Sequence, residues 1–181
     1  MRDFMEQDFC LKRHDVSDLI GLHVIVIDST RAINHDGETR YNIPDLKQLE
    51  AASAVSRCLM PTRFRGHELK ALRHIAKLSF EDLATNLRDP TFCNAATSLE
   101  NSGLRMTPLA EIAIRRIIGD LLYKKAPSIK YEAAFVDKIL PSDPWASDPQ
   151  YQISPLIFEY INQNKSDKET KVWRGLNCLR H

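Results

Sequence analysis

Capping residues and helix breakers divide the stretch from Gly66 to Leu122 into four short apolar-periodic segments, and this punctuation constrains the fold more than any other feature. Ser79 precedes one such segment and is followed by Asp82, the Ser-x-x-Asp pattern of a capping box opening a helix at Phe80. Asp89-Pro90-Thr91 stops that helix, because the residue before proline avoids the right-handed helical region while proline itself suits a first turn. The next helix is expected from about Pro90 or Thr91 to Asn101, with Gly103 just past its end, where a left-handed residue is wanted. Thr107-Pro108 caps a fourth helix, in which Leu109, Ile112, Ala113, Ile117 and Leu121 recur at helical spacing. The first helix places Leu69, Leu72 and Ile75 on one face, with Leu78 following. Pooled with Leu83, Ala84, Leu87, Ala96 and Leu99, these residues supply a small core.

The order helix, tight turn, helix, turn, helix, loop, helix is that of helix-turn-helix DNA-binding domains more than of any catalytic fold. Leu72-Arg73, then Leu78-Ser79-Phe80-Glu81-Asp82-Leu83-Ala84, then Ser98-Leu99-Glu100-Asn101 resemble the phage-repressor (XRE-type) helix-turn-helix family. The resemblance covers about a third of the chain. It implies that Arg73 in the first helix pairs with Glu100 closing the recognition helix. It also implies that Cys93, Asn94, Thr97 and Ser98 face the major groove. In this sequence the turn Leu87-Arg88-Asp89-Pro90-Thr91-Phe92 is about two residues longer than the family's Leu-Gly-Val-Ser. The recognition helix also carries no arginine, lysine or glutamine, the commonest base readers. Asn94 retains the chemistry for a bidentate contact to adenine, and Thr97 or Ser98 for a thymine methyl or a single acceptor. Lys77, Arg88, Thr91, Asn101 and Arg105 are the candidate phosphate contacts at the helix ends.

Charge distribution agrees with this placement. The net charge of +1 conceals 7 Lys/Arg against 10 Asp/Glu in residues 1–60 (−3), 11 against 7 in residues 61–125 (+4), and 7 against 7 in residues 126–181 (zero). The positive balance thus falls on the helical segment, as phosphate contact requires. A solvated helix face produces the same modest excess.

The flanks divide the chain into an N-terminal module (1–60), the helix-turn-helix domain (61–125) and a C-terminal extension (126–181). The fold class expected is α+β, mostly α: a central four- or five-helix unit, an N-terminal β-hairpin plus helix, and a small C-terminal α/β extension. Leu22 to Ile27 reads as a β-branched strand, Asp36-Gly37 as a turn signal, and Glu38 to Ile43 as the returning strand. A helix is expected from about Asp45 to Leu59, with Leu46, Leu49, Ala52 and Val55 along one stripe. A further helix is expected from Ser128 to Leu140, then a turn-rich linker from Pro141 to Pro149. Leu156–Ile161 and Thr170–Trp173 read as two paired strands. A β-rich front, an Ile-Pro-Asp-Leu step into a helix and an XRE-type domain resemble the MqsA-like (YgiT-type) antitoxin and regulator family. That family's Cys-x-x-Cys zinc ligands are absent, since residues 1–60 hold only Cys10 and Cys58.

Catalytic and metal chemistry find little footing. His67 and His74 stand seven apart, whereas metal-binding helices use a spacing of four. Cys10-x-x-x-His14 and Cys178-x-x-His181 lie at opposite ends of the chain, and chance spacing explains them best. Asp28-Ser29-Thr30 with His23 has no nucleophile elbow around it, and six glycines in 181 residues provide no phosphate-cradling loop. No enzyme activity, cofactor or metal is expected. The acidic N-terminus has no signal-peptide pattern and no apolar run spans a bilayer, so a cytoplasmic protein is expected. The expected partners are double-stranded DNA and a second copy of the chain; a toxin-like protein partner or a small-molecule or metal sensor role are the alternatives.

Overall fold

The structure, a computed structural model, describes residues 7–35, 38–101, 105–165 and 168–177. It is a mixed α+β fold whose described strands form one five-stranded sheet. Strand β1 (Gln7–Asp15) leads through a single helical turn, α1 (Ser17–Ile20), into the long strand β2 (Val24–His35). Strand β3 (Glu38–Asn42) returns antiparallel to the far half of β2. After the helices, β4 (Leu156–Lys165) and β5 (Lys168–Gly175) form an antiparallel pair, and β4 runs parallel to the near half of β2 over Val24–Ile27.

Strand β2 therefore pairs with β1 along one edge and shares its other edge between β4 and β3. The change of partner coincides with an irregularity in the β1–β2 register, where Leu11 faces Thr30 but Arg13 faces Ile27. There Asp28 has φ 48°, a left-handed conformation that aspartate tolerates better than most side chains. The adjacent Ser29 hydroxyl donates to Ile27 O at 2.5 Å and accepts from Tyr160 N at 2.9 Å, stitching the irregularity to β4.

The sequence leads one to expect an N-terminal hairpin and a separate C-terminal pair; instead these segments share one sheet, with β1 as an additional strand. Polar residues alternate too irregularly in Gln7–Asp15 to mark it as a strand, and its pairing is supplied by β2 rather than by local pattern.

Helix α2 (Leu46–Leu59) lies between the sheet and the remaining helices, and is buried on every face from Ala51 to Leu59. A one-sided stripe of Leu46, Leu49, Ala52 and Val55 underestimates it. Its Ala51, Ala52, Ser53, Ala54, Ser56 and Cys58 are small enough for neighbours on both sides to approach closely. Trp173 of β5 anchors its start: the indole Nε1 donates to Pro44 O at 3.0 Å, and Trp173 N donates to Gln48 Oε1 at 2.8 Å. Burial pushes the Cys58 thiol up to about 12, so it stays protonated and packs as a small apolar group.

On the side of α2 away from the sheet lie α3 (Gly66–Ala76), α4 (Phe80–Leu87), α5 (Phe92–Asn101) and α6 (Pro108–Leu122). Helix α6 meets the core through Ile114, Ile118 and Leu122. Of the face expected to be buried, Ile117 packs half-buried against the core, whereas Leu109 and Leu121 are exposed, Leu109 to 80%, and Ile112 and Ala113 are half-buried. Both stripes are apolar at helical spacing, and Glu111 and Arg115 sit on the buried one, which disguised it.

The helix expected over 128–140 is reduced to a single turn, α7 (Ala133–Val136). Tertiary bonds draw the flanking backbone out: the Ser128 hydroxyl donates to Trp173 O and the Tyr131 hydroxyl to Asp120 Oδ1 at 2.8 Å. No helix among the described residues is long and apolar enough to cross a membrane.

Two buried ion pairs join α2, α3 and α6. Arg57 donates from Nε to Glu68 Oε1 at 2.6 Å and from Nη2 to Glu68 Oε2 at 2.9 Å. Arg115 donates to Glu111 Oε1 at 2.7 Å, to Thr62 O at 2.6 Å, to Cys58 O at 3.0 Å and to Met60 O. The two guanidiniums lie on the Phe64 ring, with Cζ 5.0 Å (Arg57) and 4.2 Å (Arg115) from its centroid. Desolvation opposes ionisation of Glu68, but the Arg57 hydrogen bond and charge outweigh it and hold the carboxyl below its ordinary range. Burial likewise lowers the Arg115 pKa, with Glu111 opposing the shift.

Arg115→Ala would leave Glu111 and three carbonyl oxygens short of a donor, and we expect a loss of about 3–5 kcal/mol in chemical denaturation. Because the folded Glu68 pKa lies below the unfolded value, its contribution is complete above about pH 4.3 and fades as pH falls through the folded pKa. Glu68→Gln should flatten that acid slope, as read from denaturation midpoints across the pH range.

Candidate nucleic-acid interface

Helices α3, α4 and α5 pack as a compact trio, and the sequence explains how each end is set. Ser79 caps α4: its Oγ accepts from Asp82 N at 3.0 Å, while Asp82 Oδ2 accepts from Ser79 N at 2.8 Å. The Ser79 backbone N–H, and after it the Ser79 hydroxyl, hold the Asp82 carboxyl below the usual range. Helices α3 and α4 both stop on a non-glycine residue in the left-handed conformation, Lys77 at φ 56° and Arg88 at φ 54°. Leu78 N then donates back to Arg73 O, and Asp89 N to Ala84 O, each at 3.0 Å. Asp89 opens α5, its Oδ1 accepting from Thr91 N at 3.0 Å and from the Thr91 hydroxyl at 2.5 Å. The helix expected from about Pro90 or Thr91 begins at Phe92, after a turn over Pro90 and Thr91. The expected stop at Gly103 lies outside the described residues.

Arg73 and Glu100 come together across α3 and α5, with Nε to Oε1 at 2.9 Å and Nη2 to Oε2 at 3.4 Å. The arginine also donates to Leu78 O at 3.0 Å and lies over the Phe80 ring at 4.2 Å. One side chain therefore ties the end of α5, the α3–α4 turn and the start of α4. Gly66 adds a close approach: a Cβ there would stand 2.5 Å from Glu100 O and 2.6 Å from Leu99 O. The N-terminus of α3 is seated directly against the C-terminal carbonyls of α5, a favourable meeting of opposite helix dipoles.

The outer side of α5 presents Asn94, Ala95, Thr97 and Asn101 to solvent. Cys93 is half-buried and packs against the core, and Ser98 is half-buried. The candidate base-reading row is thus narrower than expected, with Asn94 and Thr97 as its open positions. Lys77 and Arg88 are exposed at the ends of the two preceding helices. Two other candidate phosphate contacts are already engaged. Thr91 gives its hydroxyl proton to Asp89, whose carboxylate sits at the start of α5 where a phosphate would otherwise dock. Arg105 is ion-paired with Asp143 beside the 3-10 turn Pro144–Ala146. Nothing local in the sequence points to that pairing, since the two residues lie far apart in the chain.

The remaining chemical constellations do not assemble. His67 is exposed while Glu68 is turned inward to Arg57, and His74 shares a 3.3 Å contact with Arg73. His14 meets the Thr30 hydroxyl at 3.2 Å and lies against Tyr41, and Cys10 is exposed on β1. Cys178 and His181 lie outside the described residues. Among the described residues no three of His, Cys, Asp and Glu converge as a metal site would require.

The chain matches no family model, no curated protein and no solved structure.

Sequence reading missed the Arg57–Glu68 and Arg115–Glu111 pairs, which support this trio from behind. The available signals were the four-residue spacing of Glu111 and Arg115 inside an isoleucine-rich helix, and a single arginine in the small-residue run of α2.

Arg73→Ala should lower stability by about 3 kcal/mol, because it strands the nearly buried Glu100 carboxylate. Lys77→Gly should do the opposite. Glycine adopts the left-handed conformation without the roughly 1 kcal/mol penalty of a side chain there, so the melting temperature should rise or hold.

Proposed function

We propose that α3–α4–α5 is a helix-turn-helix unit of the phage-repressor type and that the protein is a sequence-specific transcriptional regulator, acting as a repressor. The observation that carries this reading is the exposed row on α5, held rigid by the Arg73–Glu100 pair. Two exposed cations, Lys77 and Arg88, are borne on left-handed helix ends where glycine would be easier to accommodate. In this arrangement α5 enters the major groove, Asn94 meets an adenine edge, and Thr97 meets a thymine methyl or an acceptor. Lys77 and Arg88 hold phosphates on either side.

The exposed face of α6 favours a homodimer. Leu109 and Leu121 are exposed and Ile112 and Ala113 half-buried, an apolar stripe along a fifteen-residue helix. Pairing of two such stripes about a two-fold axis fits a palindromic operator, with the two α5 helices in successive major grooves about 34 Å apart.

A second reading is an antitoxin-like or adaptor protein whose main work is to bind another protein. It is favoured by the absence of arginine, lysine and glutamine on α5, and by the exposed Phe9 and Tyr41 on the sheet. Zinc plays no part in either reading, and a cytoplasmic location accompanies both.

Selection of bound sequences from a random duplex library, with a salt titration alongside, separates the readings. A regulator enriches a palindrome; a protein-binding adaptor enriches nothing. Asn94→Ala should relax preference at one base step by roughly 1–3 kcal/mol without altering the fold, and equal losses on selected and random DNA would refute its reading role. Arg88→Ala and Lys77→Gly should weaken binding to all sequences and each reduce the salt slope by about one. Leu109→Asp should convert a dimer to a monomer in sedimentation; an unchanged mass would move the interface elsewhere.

A further inference from the structure

A cavity of about 710 Å³ lies on the opposite side of α2 from the helical trio. Its floor is the C-terminal turn of α2, with Ser56 and Leu59, continuing into Met60 and Pro61. Ile129 and Phe135 form one wall, and Leu156 at the start of β4 forms another. Lys130 and Glu132 stand at the mouth, paired with each other at 2.9 Å and largely solvated.

The polar groups inside are nearly all engaged. The Ser128 hydroxyl donates to Trp173 O, and Asn177 donates to Pro155 O at 2.6 Å while accepting from Ile157 N at 2.8 Å. Ser56 differs. It is 2% exposed, it lines the cavity, and its hydroxyl has no hydrogen-bond partner in the protein. A buried hydroxyl without a partner is costly, and such groups in native proteins are nearly always satisfied. An isolated water would serve it poorly, since a buried water needs two to four polar partners and the surroundings of Ser56 are largely apolar. The volume lies within the range of roughly 300–1,000 Å³ typical of small-molecule sites.

We propose that this cavity binds a small, uncharged, mainly apolar molecule bearing one hydrogen-bond acceptor, a carbonyl or ether oxygen that receives the Ser56 hydroxyl proton. An uncharged ligand follows from the lining, whose only cation among the described residues, Lys130, already has Glu132 beside it at the solvent edge. The site does not depend on the DNA-binding reading, and its test uses no DNA.

The test titrates the full chain with 2-nonanone, read by saturation-transfer NMR and by thermal shift, with octanoate as the charged counterpart. Saturable binding of the ketone, at least tenfold tighter than octanoate, is the expected result. Ser56→Ala should leave the ligand-free protein equally stable or more so, yet weaken ketone binding about fivefold, the equivalent of one net hydrogen bond. Ile129→Trp should fill the cavity and abolish binding while the far-UV spectrum and cooperative melting persist. Absence of saturable ketone binding would overturn the proposal. So would octanoate binding as tightly as the ketone, or a Ser56→Ala affinity equal to that of the parent.

Discussion

The buried guanidiniums of Arg57 and Arg115 are the constraint on which the helical layer depends. Each is withdrawn from water and donates to a carboxylate and to backbone carbonyl oxygens at the end of α2 and in the segment that follows it, while Arg115 Nε has no partner among the described residues. That segment, Met60 to Arg65, forms only an isolated bridge between Thr62 and Ser142, which supplies no donor to those carbonyls. The arginines stand in for a missing helix turn, and the positive charge also suits the negative end of the α2 dipole. On the carboxylate side, Glu68 accepts from Arg65 N at 2.8 Å and Glu111 from Phe64 N at 2.9 Å. One network therefore caps the end of α2, opens α3 and fixes the angle of α6.

The candidate interface inherits its rigidity from this arrangement. Helix α5 packs against both α3 and α4, and the Arg73–Glu100 pair and the glycine seat at Gly66 fasten it to α3. A shift in how α3 leaves the buried network would therefore be transmitted to the exposed row on α5. The cavity beside Ser56 abuts the same α2 terminus from the sheet side. Both proposed binding surfaces thus bear on a single hinge-like stretch, although each is argued from its own observations.

Much of the helical order was legible because local chemistry dictates it. Ser79 with Asp82, Asp89 with Pro90, and Thr107 with Pro108 act within three or four residues, so α4, α5 and α6 start close to where the residues indicate. The Arg73–Glu100 contact came from family resemblance, and the side-chain geometry brings the two residues together independently of it. What could not be read was long-range. Two apolar stripes compete on α6, and only the buried charges at Glu111 and Arg115 decide which one turns inward. The β2–β4 pairing joins residues from opposite ends of the chain, and no periodicity encodes such a partner. Asp143 neutralises Arg105 for the same reason.

That β2–β4 pairing has a consequence for biosynthesis. Val24 hydrogen-bonds alongside Leu156, so most of the polypeptide must leave the ribosome before the sheet can close. Until then the edge of β2 is an open template, and a nascent or truncated chain lacking the final hairpin presents Val24, Val26 and the small-residue face of α2 to solvent. Such a chain is a natural substrate for chaperones and proteases, and quality control would register loss of the last two strands more sharply than most changes within the helices.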